Sequence, residues 1–264
     1  MPRRRRPDRI WLLSLPFLAF LALPLLALLG RAPAGQLLEN LRQPEVYQAI
    51  ALSLNTATLA TLASIVLGTP VAYLMARRSF RFKRALDTLI DLPTVLPPAV
   101  AGVALLMAFG RRGVIGSSLE ALGVHIAFTQ AAVVIAQTFI SAPLYIKSAI
   151  VGFAGVEREL EQAAALDGAT SWSVFRQITV PLSSPAMLSG AVLAWARALG
   201  EFGATIIFAG NFPGRTQTMP LAIYIGFELD LNVALTLSVI LIGFSFLVLI
   251  LVKVLLRSPV REVK

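Results

Sequence analysis

Residues 46–76 read VYQAIALSLNTATLATLASIVLGTPVAYLMA, and no Asp, Glu, Lys or Arg interrupts them. About 20 predominantly apolar residues suffice for a helix to cross the hydrocarbon core of a bilayer. An ordinary soluble domain, about a quarter charged, has no use for an uncharged run of this length. The stretch therefore predicts a membrane helix, with its crossing part starting near Ser53. The same test finds further apolar runs at residues 10–30, 86–109, 126–146, 183–209 and 231–252. The run at 86–109 has Asp87 and Asp91 near its start, and the run at 183–209 is broken by Arg197 and Glu201. The expected fold is all-α: a polytopic membrane bundle of six transmembrane helices.

Composition agrees. The chain has 264 residues, 57% of them hydrophobic and 14% charged, with a mean hydropathy of +0.78. That excludes disorder, a coiled coil and an ordinary soluble enzyme. The net charge of +9 would otherwise suggest nucleic acid. In a chain this apolar, loop basicity sets membrane orientation instead. One side of the expected bundle holds Arg3, Arg4, Arg5, Arg6 and Arg9, then Arg77, Arg78, Arg81, Lys83 and Arg84. It also holds Lys147, Arg158 and Arg176, then Lys253, Arg257, Arg261 and Lys264. The other side holds Arg31, Arg42, Arg111, Arg112 and Arg215. This imbalance of 17 to 5 among the 23 basic residues puts both termini in the cytoplasm, in keeping with an even number of spans. The expected location is a bacterial inner membrane, with the bilayer as a partner and no nucleic acid.

The chain then divides into three parts. Residues 1–48 hold the basic segment, first helix and an external loop. Residues 49–257 form the transmembrane domain, with a cytoplasmic loop at 151–182, and residues 258–264 are a tail. Ala32-Pro33-Ala34 looks like a leader cleavage site. However, the preceding apolar run of about 20 residues exceeds the usual leader core of about 7–15, so a retained helix is expected.

Missing residues exclude several chemistries. There is no G-x-x-x-x-G-K-[ST], and none of Lys83, Lys147, Lys253 and Lys264 follows a Gly, so the chain has no phosphate-binding loop of its own. With Cys 0 and His 1, thiolate and histidine metal sites lose their ligands. H-E-x-x-H and G-x-S-x-G are absent too. No catalytic residue, metal site or cofactor is expected in this chain. Uphill transport would draw its energy from another subunit.

The least hydrophobic cytoplasmic segment between spans is residues 155–181, GVERELEQAAALDGATSWSVFRQITVP. Glu157, Glu159 and Glu161 suit a helix N-terminus. Gly168 suits its end, Thr170 and Ser171 suit the cap of a second short helix, and Pro181 is expected to end that helix. Such a pair makes a plug for a cytoplasmic partner, or an amphipathic pair with Trp172 and Phe175 in the headgroups.

This segment resembles the loop of permease subunits of binding-protein-dependent ABC importers, whose pattern is E-A-A, three residues, G, nine residues, I, one residue, L-P. Ala163, Ala164, Gly168, Ile178 and Pro181 fit that spacing. Gln162 holds the first position, with Glu161 one residue earlier, and Val180 replaces the Leu. The resemblance implies a type I importer permease fold with a coupling helix seated on an ATP-hydrolysing subunit. Further implied partners are a second copy of this chain, two ATP-binding cassette subunits that carry ATP and Mg²⁺, and an extracytoplasmic oxyanion-binding protein. Two more stretches, residues 92–98 (LPTVLPP) and 196–205 (ARALGEFGAT), are similar to the molybdate, tungstate and sulfate branch of these importers. Residues 109–116 (FGRRGVIG) look closest to its molybdate members. Import of a tetrahedral oxyanion by alternating access is implied, with sulfate or tungstate as the other cargoes. An ion-coupled carrier is the rival mechanism.

Arg197 and Glu201 stand four residues apart on one helix face. A lone charge at the centre of a membrane helix costs about 2.5–3.5 kcal/mol, so the two are expected to pair, either as a structural bond or beside a gate. If pairing is their whole role, exchanging them should restore what each single reversal loses. Gly200 and Gly203 permit close helix approach or bending. Pro93, Pro97 and Pro98 must disturb the third helix, which is tolerated where backbone is packed in protein or lines a wet path. Arg111, Arg112 and Arg215 are external candidates for contact with the binding protein. The intact mass of the purified chain is expected to include residues 1–34. A mass starting after Ala34 would show that the first helix is a leader.

Overall fold

The computed structural model describes residues 10–32, 35 and 37–256. The basic run Arg3–Arg9 and the tail at 258–264 lie outside them. All regular structure among the described residues is helical. The helices, in chain order, are α1 (Ile10–Arg31), α2 (Leu37–Arg42), α3 (Pro44–Arg77), α4 (Lys83–Val95), α5 (Pro98–Phe109), α6 (Gly116–Ala121) and α7 (Gln130–Ala154). They continue as α8 (Arg158–Leu166), α9 (Ser171–Val174), a π turn (Phe175–Thr179), α10 (Val180–Leu199), α11 (Gly203–Phe208), α12 (Met219–Leu229) and α13 (Leu231–Leu256).

Five stretches are long and apolar enough to cross a membrane: α1, α3, α7, the continuous helix from Ser171 to Leu199, and α13. The bent pair α4–α5 brings the number to six if it counts as one span. The expected third span is thus not one helix. It breaks at Leu96-Pro97, and its halves meet at 115°. Pro97 and Pro98 together supply neither a backbone donor nor the freedom to continue a helix.

Three further expectations shift. α3 is longer than expected and starts at Pro44. α7 runs to Ala154, so Lys147 lies within a helix and not in the following loop. Pro181 does not end a short helix, because the chain is helical from Ser171 through to Leu199. The π turn makes this possible. Val180 donates its N–H to the carbonyl of Phe175, five residues back, just where Pro181 would disrupt regular bonding. The run at 183–209 divides after Arg197, between α10 and α11.

α7 is the centre of the bundle, packed along α3 on one side and α10 on the other. Small residues set the contact. Ala57, Ala60, Ala72, Ala132, Ala136, Ala149, Ala194 and Ala198 are all fully buried. Hydrocarbon chains are as apolar as Leu, so helices associate in membranes through close packing and interhelical bonds rather than by escaping water. Tyr145 on α7 meets Thr69 on α3 through their hydroxyls at 2.6 Å. Ser53 Oγ on α3 accepts from the Met219 backbone N–H at the start of α12, at 2.7 Å. By contrast, Phe20 and Leu23 on α1 and Phe246 and Leu247 on α13 are exposed, as lipid-facing side chains are.

At Gly190 on α10 a Cβ would stand 2.5 Å from Ser148 Cβ on α7. At Gly243 on α13 nothing lies within 4 Å. Overpacking a close contact costs about 1–3 kcal/mol. Gly190→Leu is therefore expected to cut the yield of monodisperse detergent-extracted protein several-fold, while Gly243→Leu matches the parent. Equal yields would show that the α7–α10 approach does not need a bare backbone.

Candidate functional site

The loop between α7 and α10 forms as its sequence demands. α8 ends at Leu166, and Gly168 adopts φ +88°. Its N–H bonds back to Ala165 O at 3.1 Å, and Ala169 N–H bonds to Ala164 O at 3.0 Å. This is the paired closure that a left-handed residue permits at a helix end. A Cβ at Gly168 would meet nothing within 4 Å, so the glycine is there for its φ and not for space. Thr170 Oγ1 then accepts the Ser173 N–H at 3.2 Å and opens α9. Two short helices therefore project at an angle fixed by one glycine and one threonine.

Glu161 ties this projection to the spans. Its Oε1 accepts from Arg77 Nη2 at 2.9 Å and from Thr179 Oγ1 at 2.6 Å. Arg77, the last residue of α3, also donates to Val156 O at 3.0 Å. The Arg77 side chain is 9% exposed and Glu161 19%, so water screens this pair poorly. Glu161 thus faces the bundle, while Gln162 and Ala163 face outward and Ala164 is half-buried. Leu166 and Trp172 are 89% and 67% exposed. Trp172 stacks on Phe175 with ring centres 5.6 Å apart, Phe175 meets Tyr73 of α3 at 5.0 Å, and Ile178 is half-buried on the π turn. An apolar rim with uncharged amide and methyl groups suits a protein groove better than open water. Sequence reasoning missed Arg77 and Thr179, because Arg77 read only as one of the orientation charges.

Among the path candidates, Arg197 and Glu201 pair as expected, Nη1 to Oε2 at 2.7 Å. Glu201 is 1% exposed, and its other oxygen is engaged as well. Oε1 accepts the Ala204 N–H at 2.9 Å, inside the first turn of α11. α11 is pressed against α5. A Cβ at Gly203 would stand 2.6 Å from Pro98 Cβ, and one at Gly102 would stand 2.8 Å from Ile207 Cβ. Gly203 and Pro98 are therefore brought together. Gly200 is exposed and has nothing closer than Ala196 O at 3.7 Å, so contact does not demand a glycine there. Pro97 is exposed at the bend, and Pro93 sits inside α4.

A further clamp was not foreseen. Lys147 Nζ lies 2.6 Å from Asp87 Oδ1 and 2.9 Å from Asp91 Oδ2, pinning α4 to α7 below the bend. Elsewhere, Arg111 and Arg215 line one cavity of about 420 Å³ together with His125 and Glu120. Arg111 Nε is 3.5 Å from Glu120 Oε1. Arg112 is exposed and lies apart from that lining.

A membrane bundle with a projecting, tethered helix pair is the architecture of an importer permease. The family described as "Binding-protein-dependent transport system inner membrane component" matches residues 64–259, and the chain belongs to it. Molybdenum transport system permease protein ModB of Mycobacterium bovis is 42% identical over 244 residues, 92% of each chain. Probable sulfate transport system permease protein cysT of Chlorokybus atmophyticus is 34% identical over 245 residues, 90% of this chain and 85% of that one. A solved chain of a bacterial ABC transporter involved in the import of the acidic polysaccharide alginate superposes with a TM-score of 0.74 at 17% identity, covering 95% of this chain and 97% of its own. The fold is thus that of the type I ABC importer permeases.

Two outcomes follow. A non-glycine residue in the left-handed region costs about 1–2 kcal/mol, with Asn the best tolerated. Association with the ATPase subunit, measured by co-purification, is expected to fall in the order parent, Gly168→Asn, Gly168→Ala; equality of Ala with the parent would remove φ as the constraint. The exchange of Arg197→Glu with Glu201→Arg is expected to rescue no more uptake than either single reversal, because an arginine at 201 cannot accept the Ala204 N–H. Glu201→Gln, which can, is expected to retain more. Full rescue by the exchange would reduce the two residues to a simple pair.

Proposed function

We propose that the chain is the permease subunit of an ATP-driven importer that moves molybdate across the inner membrane by alternating access. The observation that carries this reading is the tethered α8–α9 projection, where exposed Gln162, Ala163, Leu166 and Trp172 form a partly apolar surface beside the charges of Arg158, Glu159 and Asp167, fixed to α3 and to the π turn before α10 through Glu161. Two copies of the chain surround a central path. Two ATP-binding cassette subunits, which bring ATP and Mg²⁺, receive the projections, with Gln162, Ala163, Leu166 and Trp172 in their grooves. An oxyanion-binding protein docks on the opposite face, where Arg111 and Arg215 offer positive charge to acidic side chains. Both termini are cytoplasmic, as the distribution of Lys and Arg supports.

The mechanism needs no covalent step in this chain. Closure of the ATPase pair displaces α8. Glu161 passes the displacement to Arg77 at the end of α3 and to Thr179 at the π turn, and the spans reorient. Molybdate is favoured over sulfate by the higher identity to the molybdenum permease of M. bovis, 42% against 34%.

Labelled molybdate uptake by vesicles containing this chain, its ATPase and its binding protein tests the reading. Uptake is expected to require ATP and to resist excess sulfate. Uptake that ignores ATP and follows an ion gradient would contradict the mechanism, and uptake of sulfate in place of molybdate would contradict the cargo.

A further inference from the structure

The face of α3 that carries Tyr47, Ala51, Asn55 and Leu59, residues four apart on one stripe, is turned away from the centre of the bundle. With Gln48 and with Gln130 at the start of α7, it lines a cavity of about 630 Å³ at the end of the bundle remote from the α8–α9 loop. Tyr47, Gln48, Asn55 and Gln130 are all exposed. Their side chains make no hydrogen bond to any described residue. Asn55 lies within the uncharged run of α3 and is exposed. Polar side chains within membrane spans face the bundle interior or a water-filled cavity rather than hydrocarbon. By this rule the stripe around Asn55 faces water or protein and not hydrocarbon.

The lining sets a few polar groups among apolar ones, Leu52, Leu59, Val134 and Ile135. It presents amide N–H groups from Gln48, Asn55 and Gln130 and the phenol O–H of Tyr47. No Lys, Arg, Asp or Glu lines it. A carboxylate would repel an oxyanion, and an arginine in a low-dielectric span would hold it too tightly. Neutral donors replace part of the hydration shell with individually weak bonds, which lets an anion enter and leave. Arg197, near the end of the span that closes at Leu199, is bonded to Glu201 and does not line this cavity.

We propose that this groove is the half of the translocation path remote from the ATPase, and that it takes a tetrahedral oxyanion in transit on the donors of Tyr47, Gln48, Asn55 and Gln130. The proposal rests on the oxyanion-import reading above and adds the residues that meet the cargo inside the membrane.

The chain contains no cysteine, so single-cysteine variants report without background. Gln48→Cys and Asn55→Cys are prepared in the complete complex in vesicles. Leu23→Cys on α1, whose leucine is 68% exposed toward lipid, is the reference. Each is treated with a membrane-impermeant anionic methanethiosulfonate. Both groove variants are expected to label at least tenfold faster than the Leu23→Cys variant. With binding protein and ATP present, the imported anion, molybdate or sulfate, is expected to slow that labelling at least threefold. Labelling of both no faster than the reference would overturn the proposal. So would disulfide formation between two copies of the Asn55→Cys variant without reagent access, since the stripe would then be a packed contact. Fast labelling that neither anion slows would overturn the oxyanion assignment. Protection by sulfate alone, in a complex that imports only sulfate, would support the groove while refuting the molybdate reading.

Discussion

One carboxylate oxygen holds three elements together. Glu161 Oε1 accepts from Arg77, which ends α3, and from Thr179, which lies in the π turn before α10. Beside it, Arg77 bonds to Val156 O and Phe175 meets Tyr73 of α3 with ring centres 5.0 Å apart. The Glu161 bond is short, poorly hydrated and shared between a guanidinium and a hydroxyl, the kind of charge-assisted contact that fixes direction as well as distance. Gly168 and Thr170 shape the projection, α9 runs on into the span that ends at Leu199, and Glu161 binds α8 to both that span and α3.

The membrane-spanning body must then be stiff enough to respond as a unit. Buried alanines and glycines along α3, α7 and α10 bring backbones into contact, and a close-packed interface resists gradual deformation. The elements outside this trio are held differently. α4 is pinned to α7 by Lys147 between Asp87 and Asp91. α11 lies against α5 through Gly102 and Gly203 and is capped by Glu201. The polypeptide thus has a close-packed core of α3, α7 and α10, with α4, α5 and α11 held beside it through small residues and ion pairs across breaks at Leu96-Pro97 and after Leu199. Broken helices next to a stiff core are where a path can open without unfolding the bundle.

Much of this was legible in the sequence, for local reasons. The uncharged run at 46–76 located α3, Gly168 and Thr170 marked a helix end and a cap, and the i, i+4 spacing of Arg197 and Glu201 paired them. What escaped was set through space. Pro97 and Pro98 signalled a disturbance, but not a bend of 115°; α5 packs against Gly203 and Ile207 of α11, contacts made through space. Pro181 looked like a stop, yet a π turn absorbed it. Glu161 read as a displaced contact for a partner, and only its meeting with Arg77, 84 residues earlier, shows that it faces inward. Arg111 and Arg215 gave no sequence hint that they share a cavity with His125.

The central claim is that Glu161 transmits movement of the projection to the spans. The most direct test is the number of molybdate ions imported per ATP hydrolysed by complexes carrying Arg77→Gln. The account predicts that the ATPase subunits still co-purify and hydrolyse ATP, while import per ATP falls at least tenfold. An unchanged ratio would contradict it, because the projection would then be driving the spans without its tether.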